Sequence, residues 1–240
     1  MTDNASRQKV AVITGGSQGI GAGLVEGYRQ RGWAVVASAR TFKPVQDPDI
    51  VTVEGDIAEP GTADRVIGAA VDRFGHVDTL VNNAGVYISK PFTDYTAADY
   101  ALITGVNLAG FLWLTQRAIT EMLRQGHGHV VNISATIAER PDSGTPAVLT
   151  AVTKAGLAAA ARSLAIEYAS RGIRVNAVAP GIIKTPMHPA ASYAMPAEKL
   201  PPLGRIGQVS DVVDAILFLE SASYITGEVV HVDGGQVAGH

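Results

Sequence analysis

Cysteine is absent from the 240 residues, which excludes disulfides and thiol catalysis. Its absence agrees with a reducing compartment, and a cytoplasmic location is the expectation. Charge is sparse at 17%, the net charge is −3, and no block of basic residues occurs, so nucleic acid is not an expected partner. No uninterrupted apolar run reaches the length of a membrane span, and the polar start through Gln8 lacks the form of a signal peptide. No membrane partner is therefore expected. The six histidines show no metal-ligand spacing, and His127-Gly-His129 reads as a solvated pair in a turn. Apolar residues, by contrast, are plentiful at 47%, enough for a sizeable core with no sign of disorder. With no internal repeat and no linker, residues 1–240 read as a single domain.

The most informative stretch runs from Val10 to Gly21, VAVITGGSQGIG. Val10 to Ile13 is a buried-strand run, and a helical pattern begins at Ile20 and continues through Leu24 and Tyr28. Between them Gly15, Gly19 and Gly21 strip side chains from a turn where a backbone must approach something closely. The start of the following helix offers free N–H groups and a positive dipole end, which suits a pyrophosphate. A glycine triplet standing between strand and helix is the context that a dinucleotide site requires.

Strand-like and helix-like segments then alternate to the end of the chain. Trp33–Ala39, Ile50–Val53, Val77–Val81, Val130–Ser134, Ile173–Val178 and Glu228–Val232 read as strands. Helices are expected after Glu59-Pro60 up to Phe74, from Thr96 or Asp99 to Met122, from about Thr150 to Ser170, and over Asp211–Leu219 with Ser210 as the cap. Such alternation predicts an α/β fold, a doubly wound Rossmann domain with a mostly parallel seven-stranded sheet. Ligands of such sheets lie at the carboxyl ends of the strands. Arg40 stands nineteen residues beyond Gly21, where the adenosine ribose is read, and no acid accompanies it. A guanidinium there favours a 2′-phosphate, hence NADPH over NADH; the competing reading is a solvated surface arginine. Asp56 serves either as an acceptor for the adenine amino group or as a turn aspartate at a helix entry. Asn107, a polar amide within an apolar helix, calls for a buried role such as bonding a backbone carbonyl or holding a water. The segment 182–207 carries five prolines and reads as a lid whose apolar wall suits a hydrophobic small-molecule substrate.

The assembled motifs resemble the short-chain dehydrogenase/reductase family over nearly the whole chain. Thr14-Gly-x-x-x-Gly-x-Gly21 is similar to its cofactor motif and Asn82-Asn-Ala-Gly85 to its strand-four motif. Asn107 and Lys154 match its helix asparagine and lysine, and Pro180-Gly-x-Ile-x-Thr185 the stretch that touches the nicotinamide. Tyr224-Ile-Thr-Gly and Val232-Asp-Gly-Gly235 are similar to its C-terminal signature. The resemblance implies cofactor binding through Gly15, Ser17, Gln18, Gly19, Ile20, Gly21, Arg40, Asp56, Ile57, Asn83, Ala84, Gly85, Lys154, Pro180, Gly181, Ile183 and Thr185. It implies a catalytic set drawn from Asn107, Lys154, Thr150 and Ser134, and a homotetramer or homodimer built on the helices near Asn107 and Thr150.

One departure stands out. The family's Tyr-x-x-x-Lys reads Thr150-Ala-Val-Thr-Lys154 here, and the second residue of its serine pair reads Ala135, between Ser134 and Thr136. In the family the tyrosine protonates the substrate oxygen, and loss of a general acid costs roughly a hundredfold to ten-thousandfold in rate. Several readings stand side by side. One is a carbonyl or imine reductase with another proton source: a water among Lys154, Asn107 and Thr150, Lys154 itself, or one of Tyr87, Tyr193 and His188. Another is a reductase whose substrate scarcely needs an acid, such as an iminium or activated alkene. A third is a cofactor-bound scaffold or sensor without turnover, and a fourth is a threonine introduced deliberately.

Overall fold

Residues 7–187, 193, 196 and 200–239 are described by a computed structural model. At its centre lie β1 (Val10–Thr14), β2 (Ala34–Ala39), β4 (Thr79–Asn82), β5 (Gly128–Ile133) and β6 (Ile173–Pro180), flanked by β3 (Ile50–Glu54) and β7 (Val229–Val232). The order is β3-β2-β1-β4-β5-β6-β7, and all seven strands are parallel, where a mostly parallel sheet was expected. Both faces of such a sheet are covered, so its inner strands are apolar throughout rather than alternating. Every residue of β1 and β2 is buried, while the edge strand β3 is only half-buried.

Successive side chains of a strand point to opposite faces, and the two halves of the core follow that rule. Val10 and Val12 pack with α2 (Pro60–Phe74), α4 (Gly110–Gln125) and α5 (Val148–Tyr168), through residues such as Val66, Leu114 and Ala161. Ala11 and Ile13 pack with α1 (Gly19–Gln30) and α6 (Val209–Ser221), through Leu24, Val212 and Ile216.

Local sequence explains most helix ends. Pro60 opens α2, and Gly75 closes it in the left-handed conformation at φ 84°. Thr96 caps α3 (Ala97–Thr104) in a reciprocal pair with Asp99. A π-helical turn over Gly105–Ala109 joins α3 to α4, so Asn107 sits in a widened turn and not in regular α-helix. The expected cap Ser210 is displaced: α6 starts at Val209 and is capped by Gln208, again reciprocally with Asp211. The helical stretches 97–125 and 148–171 are long and apolar enough by composition to cross a membrane, although neither holds an uninterrupted apolar run. Here both lie against the sheet.

The amino ends of the strands hold a buried polar knot. Glu220 on α6 accepts hydrogen bonds from Tyr28 (2.7 Å) on α1 and Thr79 (3.0 Å) on β4, and lies 3.0 Å from His129 Nδ1 on β5. His129 is thus buried in an ion pair and not solvated as its turn context suggested; His127, facing Asp78, is the exposed one. No cluster of histidine, aspartate or glutamate among the described residues has the arrangement of a metal site.

Candidate active site

The switch in strand order falls between β1 and β4, and the predicted residues gather at the carboxyl ends beside it. Thr14, the last residue of β1, organises the crossing. Its hydroxyl accepts from the backbone N–H groups of Asn83 (3.0 Å) and Ala84 (2.9 Å), and the Asn83 amide donates back to the Thr14 carbonyl at 2.8 Å. Thr14 was not singled out for this by its sequence position, although a threonine between an apolar strand and the first glycine is a visible signal.

The glycines are required by packing. Gly15 has φ +67°, and a Cβ there would stand 2.9 Å from the Asn83 amide; a Cβ on Gly21 would collide with the Gly15 carbonyl. The start of α1 carries no side-chain cap and no acid in its first turn, which leaves its N–H groups for an anion. Ser17 and Gln18 flank that opening, exposed and without side-chain hydrogen bonds among the described residues. Thr185 comes down onto the same turn, its Cβ 3.4 Å from where a Cβ of Gly19 would stand. Ile183 is buried, and Gly181 continues β6 by donating to Val232 at 3.0 Å. This bare-backbone cradle fits a pyrophosphate.

The remaining nucleotide-side residues divide. Ile57 is buried beneath Gly110. Asp56 is exposed and accepts from the Ala58 N–H at 2.9 Å, the turn role that was one of its two readings. Arg40 is exposed and forms no hydrogen bond or ion pair among the described residues. Beside the glycine turn lies a cleft of ≈ 440 Å³, and the segment after β2 contributes Thr41, Phe42 and Lys43 to it, not Arg40.

On the catalytic side, Asn107 binds Val86 twice, donating to its carbonyl at 3.1 Å and accepting its N–H at 2.9 Å, and it donates to the Thr153 hydroxyl at 3.1 Å. A carbonyl partner for this amide was anticipated; Val86 and Thr153 as the partners were not. Lys154 is buried, with Nζ donating to the Ile133 carbonyl at 2.7 Å, and burial lowers its pKa to about 8. A Cβ on Gly85 would stand 3.1 Å from that nitrogen and 3.3 Å from Asn107 Oδ1, so the glycine lets both side chains come close to the backbone after β4.

The nearby hydroxyls are committed to backbone. Thr150 Oγ1 is shared with Ile88, accepting its N–H at 3.3 Å and donating to its carbonyl at 3.4 Å. Ser134 Oγ donates to the Lys154 carbonyl at 2.9 Å, and Ala135, half-buried, offers no hydroxyl. Of the loop candidates, the Tyr87 phenol bonds Ser89 and burial raises its pKa. The Tyr193 phenol is held by Thr185, donating to its carbonyl (2.8 Å) and accepting its N–H (3.1 Å). His188 lies outside the described residues.

The chain is similar to known proteins over nearly its whole length. A protein-family profile described as Enoyl-(Acyl carrier protein) reductase matches residues 15–236. The 3-oxoacyl-[acyl-carrier-protein] reductase FabG of Escherichia coli (strain K12) is 35% identical over 237 residues, 95% of this chain and 96% of the relative. The 3beta-hydroxysteroid dehydrogenase 1 of Eggerthella lenta is also 35% identical, over 247 residues that cover 95% of this chain and 93% of the relative. Among solved structures, the 3-ketoacyl-(acyl-carrier-protein) reductase from Brucella melitensis complexed with NADH superposes with a TM-score of 0.88 at 30% identity, covering 97% of this chain and all of the other (100%). ElxO with NADP bound also gives 0.88, at 28% identity and the same coverage. Matched along nearly its whole length in sequence and in fold, the chain belongs to the short-chain dehydrogenase/reductase family of NAD(P)-dependent oxidoreductases.

Proposed function

We propose that this chain is an NADPH-dependent carbonyl reductase in which the Lys154 ammonium supplies the proton, directly or through one water. One observation carries the reading: Lys154 Nζ lies beside Gly85 and Asn107 with a single backbone partner, while the Thr150 and Ser134 hydroxyls are spent on backbone. Bound reduced nicotinamide supplies the hydride to the carbonyl carbon. Residues 181–185 would hold the ring, Asn107 fixes the wall at Val86, and Lys154 would place a cation where the substrate oxygen becomes negative. A buried ammonium attracts a developing oxyanion and repels a cationic iminium, so a ketone or enone suits the site better than an imine. The hydrophobic character of the lid argues for an apolar small or medium substrate. We further propose a cytoplasmic homo-oligomer joined through the helices that carry Asn107 and Thr150.

Because its pKa is lowered to about 8, Lys154 is an available acid below that value and loses the proton above it. The test follows NADPH oxidation with a panel of ketones, diketones and enones from about pH 6 to about pH 10, across the ordinary lysine range. The rate falls as pH rises through about 8, and Lys154→Met lowers it by roughly a hundredfold to ten-thousandfold. A rate indifferent to pH over that window removes Lys154 as the acid. Tight NADPH binding with no turnover on any substrate identifies a scaffold instead.

A further inference from the structure

The chain after β7 folds into a knot that reaches two other segments at the carboxyl edge of the sheet. The Asp233 carboxylate accepts the N–H groups of Gly235 (2.9 Å) and Val237 (2.8 Å), which ties residues 233–237 into a tight loop. Gly234 and Gly235 stand at φ +66° and +91°, a conformation that side chains disfavour. The loop lies on the end of β6, since a Cβ on Gly181 would stand 2.8 Å from Asp233 Cα. It grips the returning limb of the segment 182–207. The Gly234 carbonyl accepts the Leu203 N–H at 3.0 Å, and Cβ atoms added to Gly234 and Gly235 would stand 3.0 Å from Pro201 and 3.3 Å from Pro202. It also grips the segment after β5, where Arg140 donates to the Gln236 carbonyl. Glu139 in that segment pairs with His231 of β7 at 3.0 Å. The same segment begins next to Ser134, whose hydroxyl bonds the Lys154 carbonyl.

We propose that the loop 233–237 is a clasp that sets the spacing of two walls around the ketone, with Arg140 as its positioning residue. The assignment rests on the carbonyl-reductase reading and deepens it: on that reading the ketone lies between the segment that continues from Ser134 and the one that continues from Gly181. Arg140 takes no part in hydride or proton transfer. It acts through the Gln236 carbonyl and the two glycines on the limb that carries Leu203. A guanidinium bonded to a carbonyl is a charge-assisted contact, whereas the Glu139 and His231 side chains are 39% and 33% exposed and their pair is screened by water. Arg140 therefore carries most of the clasp. None of these contacts involves the turn between β1 and α1, so loosening the clasp spares the nucleotide and costs the ketone.

Arg140→Ala in the full chain tests this, with Arg140→Lys as the conservative variant. Calorimetry with NADPH, ketone KM and kcat at saturating NADPH, and hydrogen exchange over residues 200–207 are measured on each. Arg140→Ala is expected to raise the ketone KM about tenfold or more, as loss of one charged hydrogen bond predicts, and to leave NADPH affinity unchanged. The fall in rate through about pH 8 stays in place, because Lys154 is not disturbed. The Leu203 amide exchanges faster, and Arg140→Lys recovers most of both effects, since an ammonium still donates to the Gln236 carbonyl. Glu139→Ala and His231→Ala each raise KM by a smaller factor, and the double variant raises it no further than either alone. Faster exchange with an unchanged KM, or an equal loss of NADPH affinity, overturns the positioning role. Unchanged exchange together with unchanged KM overturns the clasp itself. Wild-type protein that binds NADPH and reduces no ketone overturns the reductase reading, and the role of Arg140 with it.

Discussion

Thr150 shows how much chemistry can hang on one side chain. Its hydroxyl has no acidity near neutrality, it is buried, and it shares both its hydrogen-bonding roles with Ile88. It cannot pass a proton onward without breaking contacts that hold the post-β4 segment in place. Lys154, one helical turn on, bears a charge that burial makes costly, which lowers its pKa to about 8, the basis on which it is proposed as the acid. Restoring a phenol should therefore add a second, better-placed donor. Thr150→Tyr combined with Ala135→Ser is expected to raise ketone reduction by roughly a hundredfold to ten-thousandfold, the usual range for a general acid. Steady-state rates at neutral pH check it. An unchanged rate would mean that proton delivery is not what limits the enzyme.

At the scale of elements, α6 is fastened to the sheet through a single carboxylate. Burial pushes the Glu220 carboxyl upward, but the His129 charge and the hydrogen bonds from His129, Tyr28 and Thr79 outweigh it, and its pKa lies below the usual range. A folded-state pKa below the unfolded value stabilises the protein at neutral pH, and that contribution is lost as pH falls through it. Glu220→Ala leaves His129 and Tyr28 buried without their acceptor, and a loss of about 3 kcal/mol or more is expected. Urea unfolding measured at neutral and at acidic pH checks both statements: the difference between variant and wild type should shrink as the pH is lowered. None of this knot was legible in the sequence, because His129 and Glu220 lie 91 residues apart. What was legible is local. The apolar runs of β1 and β6, the Pro60 and Gly75 ends of α2 and the Thr96 cap are each specified within a few neighbouring residues. The candidate site was readable to the same depth: its motif residues were identified one by one, but their partners depend on folding. Asn107 reaches Thr153 from another helix.

For the whole molecule, the telling feature is the outer surface of the helical layer made by α3, α4 and α5. Tyr100 and Val152 are each 60% exposed, Leu102 is 50% exposed, and Leu112 and Val148 lie nearby in the sequence of the same helices. Interspersed charges such as Arg117, paired with Asp64, suit an interface with a rim better than a lipid environment. Val152→Asp is expected to shift sedimentation from an oligomer to a monomer, and to leave circular dichroism unchanged. A wild-type monomer at micromolar concentration would refute the interface.

The two ends of the segment 182–207 carry a consequence of a different order. Ile183 pairs with Gly207, Lys184 N–H donates to the Gly207 carbonyl, and the Gly207 N–H returns a bond to Ile182, both at 2.9 Å. The chain leaves after β6 and returns at Gly207, just before α6, through one doorway. A substitute insert of other length or polarity can be spliced between those jambs while the seven strands keep their registers. Only the part of such an insert beyond Thr185, which meets the glycine turn, is free to be exchanged.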